Sequence, residues 1–122
     1  PPGTGDVQLT LIQKTPLDGV VIVSTPQEVA LADARRAHTL FQKVGVPTLG
    51  LVENMSGDVF GGGGAQAEAQ RLGVPYLGEI GLDADVRQAG DRGTPIVIAE
   101  PDTPSARAFS ALASDLAKAL GL

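Results

Sequence analysis

The chain has 122 residues, enough for one domain with a sizeable hydrophobic core. Its net charge of −5 argues against binding to a nucleic-acid backbone, which requires clustered lysine and arginine side chains. The sequence contains no cysteine, which excludes disulfides and cysteine-ligated metal clusters within this chain. Because it has neither an apolar run of membrane-spanning length nor a secretory leader, we expect a cytoplasmic protein that contacts no membrane.

Helix and strand signals alternate along the chain. A first helix is expected near 6–13. Four apolar, β-branched runs bounded by glycine or proline predict strands at 19–25, 47–54, 75–80 and 95–100. Because these runs are continuous rather than alternating, they are typical of strands buried on both faces of a parallel sheet.

The helices between the strands carry start and stop signals. Thr25-Pro26-Gln27-Glu28 has the composition of a capping box, and Gly45 is placed to end the helix that it opens. The other predicted helices cover 65–72, 83–89 and the segment between Thr103 and Gly121. Strands that alternate with helices predict an α/β fold, with a doubly wound, mostly parallel sheet and helices on both faces.

Three loops follow predicted strands or resemble strand-to-helix turns, and ligands of such folds bind outside the carboxyl ends of strands. The loops are PPGTGD at 1–6, ENMS at 53–56 and GEIGLDADV at 78–86. The Asn54 carboxamide can donate and accept hydrogen bonds, which suits the edge of a purine, or it can cap its own loop. Asp83 is expected to cap the next helix, or to line a base pocket together with the preceding backbone.

The glycine run FGGGGA at 60–65 resembles a phosphate loop in composition only. It lacks the Lys-Ser or Lys-Thr pair, and the three lysines Lys14, Lys43 and Lys118 all lie outside glycine-rich loops. The single histidine, His38, is expected at the edge of the core, with metal ligation as the alternative. We therefore predict no metal site and no complete nucleotide-phosphate site in this chain.

Six segments in this order resemble the second half of the Mrp/ApbC-type proteins, which are iron–sulfur cluster carriers of the ParA/MinD-like P-loop ATPase group. The segments are PPGTGDVQLTL, STPQEVALADARRA, VPTLGLVENMS, FGGGGA, RLGVPYLGEIGLD and AGDRGTPIV. The resemblance runs from residue 1 to about residue 109. It implies a partial P-loop NTPase fold in which 1–122 is the C-terminal portion of one ATPase domain, without its phosphate-loop half.

The resemblance also implies roles for individual residues. Asn54 would read the adenine edge. The switch loop near the γ-phosphate and Mg²⁺ would comprise Gly3, Thr4 and Gly5. The backbone that closes the adenine pocket would comprise Gly81, Leu82 and Asp83. Members of the family often have proline where Gly81 stands here, so the wall of this pocket differs from the usual one.

The family and this sequence differ most between Ser56 and Phe60. Many members carry a C-x-x-C pair there, which ligates an iron–sulfur cluster across a homodimer, whereas only Gly57-Asp58-Val59 remain here. The implied function is an ATP-binding carrier of iron–sulfur clusters for client proteins, with ATPase activity in the complete protein and none in this chain alone. Two alternatives stay open, a ParA/MinD-like dimerisation switch without a cluster and a non-catalytic interaction module.

Overall fold

The computed structural model describes residues 6–122 and has a parallel three-stranded sheet at its centre. The strands, in spatial order, are β1 (Val20–Ser24), β2 (Thr48–Ser56) and β3 (Tyr76–Gly81). The helices are α1 (Asp6–Lys14), α2 (Glu28–Lys43), α3 (Gly64–Leu72), α4 (Ala84–Asp91), α5 (Ile96–Ala99) and α6 (Pro104–Ala119). Among residues 6–122, no helix is long and apolar enough to cross a membrane. The parallel pairing of alternating strands confirms the predicted α/β fold.

The central strand β2 is covered on both faces. Leu51 is fully buried in a cluster with Ile22 of β1, Ala34 of α2 and Ala69 of α3. Successive side chains of a strand point to opposite faces, so Val52 projects away from this cluster. Val52 is only 2% exposed, which means that the second face is covered as well. The continuous apolar run therefore predicted the burial of this strand correctly.

The predicted fourth strand at 95–100 is wrong, because this segment forms the short helix α5. Pro95 precedes the helix, and its carbonyl oxygen accepts hydrogen bonds from the amides of Ile98 and Ala99 at 2.9 Å each. Ile96 is buried against Ala89 and Ala106 of the neighbouring helices. A short apolar run fits a buried helical turn as well as a strand, and here helix packing decides between them.

The predicted capping box at the start of α2 is also wrong. The helix begins at Glu28, and its N-cap is Gln27, whose side chain makes no capping hydrogen bond. The Thr25 hydroxyl bonds to the Gln27 side chain instead of to a backbone amide of the first turn. Because Gln27 has extended backbone angles, the helix starts too late for Thr25 to cap it.

The other helix ends follow the sequence signals. Thr103 is the N-cap of α6, and its hydroxyl oxygen accepts a hydrogen bond from the Ala106 amide at 3.3 Å. Gly45 and Gly121, which follow α2 and α6, have φ angles of 76° and 72°. Both glycines thus adopt the left-handed conformation that ends a helix at low steric cost. The helix-ending roles predicted for these residues are confirmed.

An ionic cluster around the buried Glu68 fastens α3 to α2. Glu68 of α3 is only 2% exposed, and Arg35 of α2 donates to it with an Nε–Oε1 distance of 2.6 Å. Arg71 also contacts Glu68, and a second Arg35 nitrogen pairs with Glu28. Burial raises the pKa of the Glu68 carboxyl, but the two arginines outweigh burial and hold that pKa below its usual value. Glu68 is therefore paired and ionised despite its burial.

Candidate functional site

The three strands end together at one side of the sheet, which we call the carboxyl edge. It comprises Ser24, residues 53–56 and residues 81–83. In the strand register Ser24 lies beside Glu53, and Ser56 lies beside Gly81. The Leu82 amide donates to the Ser56 carbonyl oxygen at 2.9 Å, which continues the pairing past the end of β3. The structure thus brings the two sequence-predicted segments together on neighbouring strands, where α/β folds bind ligands.

Asn54 is half-buried within β2 and lies beside Ile80 of β3. In the part of the chain that the structure describes, its carboxamide has no hydrogen-bonding partner. The alternative in which Asn54 caps its own loop therefore has no counterpart in residues 6–122. A free carboxamide keeps both its donor and its acceptor for a ligand.

Met55 gives the end of β2 an irregular shape. Its φ of 58° is in the left-handed region, which residues other than glycine adopt infrequently. The register of β2 against β3 shifts between Asn54 and Ser56, on either side of Met55. This irregularity places the Ser56 carbonyl oxygen where it accepts the Leu82 amide.

Asp83 fixes the loop between β3 and α4. One carboxylate oxygen accepts a hydrogen bond from the Ser105 hydroxyl of α6 at 2.6 Å, and the other accepts the Asp85 amide at 2.8 Å. These bonds, that from Ser105 first, hold the pKa of Asp83 below its usual value. Asp83 is thus the predicted N-cap of α4 and also ties residues 81 and 82 to α6.

Replacement of Ser105 tests this tie through its pH dependence. A lowered pKa in the folded state stabilises the fold above the unfolded pKa, and this contribution is lost as the pH falls through the folded value. We expect Ser105→Ala to lower the thermal midpoint by a few degrees at pH 7 and by much less near pH 3. Ser110→Ala is the matched control, because the Ser110 hydroxyl bonds only to the Ala106 carbonyl. An equal loss at both pH values would contradict the assigned role of Asp83.

The backbone amides at the glycine-rich start of α3 already bind a carboxylate of the same chain. Glu53 has no exposed surface, and its two oxygens accept the Gly63 amide at 3.0 Å and the Ala65 amide at 2.9 Å. A side chain at Gly64 would place its Cβ 2.4 Å from the Pro26 carbonyl oxygen. The glycines thus allow α3 to pack closely against the preceding loop, and Glu53 fills the position that an external anion would take.

The loop that replaces the family's C-x-x-C segment is short and closed. Gly57 and Gly61 exchange two backbone hydrogen bonds of 2.8 and 2.7 Å. Val59 at its tip is 70% exposed, and Met55 and Phe60 are partly exposed beside it. Across residues 6–122 we find no cluster of three or more histidine, aspartate or glutamate side chains that could hold a metal ion.

Part of the predicted site lies outside the described residues, and the structure adds residues that the sequence did not indicate. Gly3, Thr4 and Gly5, assigned to the switch loop, lie outside the described residues. Glu53 and Ser105 were missed, and their only sequence signals are weak: a carboxylate at the end of a buried strand, and a serine after the N-cap of α6. The left-handed Met55 has no sequence signal at all.

Comparison with known proteins gives the family. The family model described as ParA, NUBPL iron-transfer P-loop NTPase, matches residues 1–117. An iron–sulfur cluster carrier protein of Synechocystis sp. is 48% identical over an alignment of 128 positions, which covers 96% of this chain and 36% of that protein. The iron–sulfur cluster transfer protein NUBPL of Dictyostelium discoideum is 44% identical over an alignment of 130 positions, which covers 98% of this chain and 40% of that protein.

The fold has counterparts among solved structures. The septum site-determining protein MinD of Pyrococcus horikoshii, complexed with Mg-ADP, is 27% identical, with a TM-score of 0.76. The match covers 85% of this chain and 43% of MinD. The chain therefore spans well under half the length of these relatives. Since the family model matches nearly all of it, the chain belongs to the NUBPL iron-transfer P-loop NTPase family of ParA-type proteins.

Proposed function

We propose that residues 1–122 form the C-terminal portion of a single P-loop ATPase domain, from the switch loop to the C-terminal helix. The 36–40% coverage of the relatives supports this interpretation, as does the absence of a G-x-x-x-x-G-K-[ST] motif from the sequence. In residues 6–122, β1 pairs only with β2, and its Val23 is 59% exposed. The free edge of β1 is where a phosphate-loop half would add its strands.

We propose that the complete protein is an ATP-dependent carrier of iron–sulfur clusters. The observation that carries this proposal is the Asn54 carboxamide at the carboxyl edge, which has no hydrogen-bonding partner among residues 6–122. It lies two residues before Ser56, which is beside Gly81 and accepts the Leu82 amide. This arrangement fits a purine base, with Asn54 at the base edge and Gly81, Leu82 and Asp83 as the pocket wall. The described residues do not fit the phosphates, for which the resemblance alone points to Gly3, Thr4 and Gly5.

MgATP would supply the phosphoryl group that the complete protein transfers to water. The iron–sulfur cluster is cargo in this proposal, and its ligands come from outside this chain because the chain has no cysteine. The names of the Synechocystis and Dictyostelium relatives support the carrier role. Cytoplasmic location and homodimerisation belong to the same proposal, with the exposed Val59 and Phe60, in the loop that follows β2, as dimer contacts.

Replacement of Asn54 tests the base-reading role. In the complete protein we expect Asn54→Ala to weaken ATP binding by about 1–3 kcal/mol, or roughly 5- to 150-fold in Kd, because a buried base edge loses its partner. Asn54→Asp is the matched control, because it keeps the shape of the side chain but cannot donate to the base when ionised. Its ATP affinity should be nearly as low as that of Asn54→Ala. Calorimetric titration gives the affinities and thermal unfolding checks the fold. Unchanged ATP affinity in the alanine variant would reject the proposal.

A MinD-like dimerisation switch without a cluster is the second candidate. The likeness to MinD and the absence of cysteine favour it. Iron and acid-labile sulfide in the purified complete protein separate the two, since the switch requires neither. A complete protein that binds no nucleotide would instead indicate the non-catalytic interaction module.

A further inference from the structure

Glu53 is a buried carboxylate that the base-reading role does not use. Within residues 6–122, no lysine, arginine or histidine pairs with it. Its compensation comes from the amides of Gly63 and Ala65 at the start of α3. Such amides and the positive end of the helix dipole are the partners that a buried carboxylate needs in the absence of a cation.

Glu53 directly precedes Asn54, so the two side chains leave β2 on opposite faces. Glu53 is fastened to α3 on one face, while the Asn54 carboxamide projects from the other. On the far side of Asn54, the next fixed point is the hydrogen bond between the Leu82 amide and the Ser56 carbonyl oxygen. Between these two points the strand contains the left-handed Met55 and an irregular register. Asn54, which pairs with Ile80, is therefore the last residue of β2 before the register against β3 becomes irregular. Glu53 anchors the residue directly before it to α3.

We propose that Glu53 is a positioning residue, which latches the end of β2 to α3 and thereby holds Asn54 where it reads the base. This inference rests on the nucleotide role proposed above. Glu53 does not contact the nucleotide in this proposal and acts through the backbone of β2. Its loss therefore lowers the base-dependent part of the affinity and leaves the phosphate-dependent part unchanged.

Glu53→Gln and Glu68→Gln form a matched pair of variants. Both replace a buried glutamate. Glu53 contacts α3 and is 0% exposed, and Glu68 belongs to α3 and is 2% exposed. In Glu53→Gln, the side-chain NH₂ group would face one of the two backbone N–H donors. Two donors cannot bond to each other, so one of the two hydrogen bonds to α3 is lost. Glu68 bonds to Arg35 and Arg71, away from the end of β2, so its variant loses stability without loosening Asn54.

The first measurement compares ATP with inorganic tripolyphosphate in the complete protein, well below the unfolding temperature of each variant. We expect Glu53→Gln to raise the Kd for ATP by about tenfold, comparable to the loss of one buried hydrogen bond, and to leave the Kd for tripolyphosphate unchanged. Glu68→Gln should lower the thermal midpoint and leave both Kd values unchanged. Unchanged ATP affinity in Glu53→Gln, or an equal loss for both ligands, would overturn the positioning role.

The second measurement needs no nucleotide. Hydrogen exchange of the Gly63 and Ala65 amides should speed up in Glu53→Gln and in Glu53→Ala. The alanine variant leaves a space that acetate can enter, so acetate should restore protection there and not in Glu53→Gln. Unchanged exchange in both variants would overturn the latch itself. If the wild type binds no ATP, the proposed function fails first, whereas ATP binding that Glu53→Gln does not alter rejects only this inference.

Discussion

Anaerobic reconstitution of this chain with iron and sulfide is expected to leave it without a protein-bound cluster. Iron–sulfur clusters are held by soft thiolate ligands, and the chain has none. His38, its single histidine, lies on α2, and its Nδ1 is 3.0 Å from the Thr48 hydroxyl oxygen. The loop where the resemblance places the C-x-x-C pair of many family members is closed by the bonds between Gly57 and Gly61. This loop therefore offers no thiolate ligand for a cluster.

Visible absorbance of the sulfide-to-iron bands, together with iron and sulfide per chain after desalting, measures this outcome. The Synechocystis carrier protein, reconstituted in parallel, is the positive control. A cluster bound in stoichiometric amount to this chain would mean that its ligands have been misidentified. A cluster found only in the complete protein would place the ligands outside these residues, which agrees with the proposal.

Local signals predicted much of the fold correctly. Thr103 and Asp83 cap α6 and α4 through bonds to amides two or three residues away. A cap of this kind depends on its immediate neighbours alone, so sequence is enough to find it. The continuous apolar run of β2 likewise predicted a strand buried on both faces, because period and burial are linked within one element.

The wrong predictions concern two segments whose sequence pattern fits more than one local structure. The run at 95–100 is a helical turn because Ile96 packs between α4 and α6, which no local signal encodes. The start of α2 is displaced to Glu28, although Thr25 and Pro26 have the composition of a helix start. In the first case tertiary contacts override a local pattern. In the second the Thr25 hydroxyl bonds to the Gln27 side chain, so a competing local interaction replaces the cap.

The candidate site shows the same division. The resemblance implied that Asn54 and residues 81–83 line one pocket, and the strands that carry them are neighbours whose carboxyl ends lie at one edge of the sheet. The bond of Glu53 to Ala65 spans 12 residues, and that of Asp83 to Ser105 spans 22. Interactions over such separations depend on how helices return to the sheet, so neither Glu53 nor Ser105 was predictable from its surroundings.

The isolated chain is expected to bind ATP no more tightly than adenosine, with a Kd weaker than about 1 mM for both. A base contact of about 1–3 kcal/mol falls short of the roughly 4 kcal/mol that a millimolar Kd requires. The one glycine-rich helix start among residues 6–122 is already occupied, since Glu53 accepts the amides of Gly63 and Ala65.

None of the three lysines is placed to act as the lysine of a phosphate loop. Lys14 and Lys43 lie in the last turns of α1 and α2, and Lys118 of α6 pairs with Asp115 at 3.4 Å. The triphosphate of ATP therefore adds negative charge to the ligand and finds no lysine to pair with. The chain itself has a net charge of −5, which disfavours such a ligand. Calorimetric titration of the isolated chain with MgATP and with adenosine measures the difference. Micromolar binding of MgATP, with adenosine much weaker, would reveal a phosphate site within these residues and would contradict the assignment of the phosphate loop to a separate half of the domain.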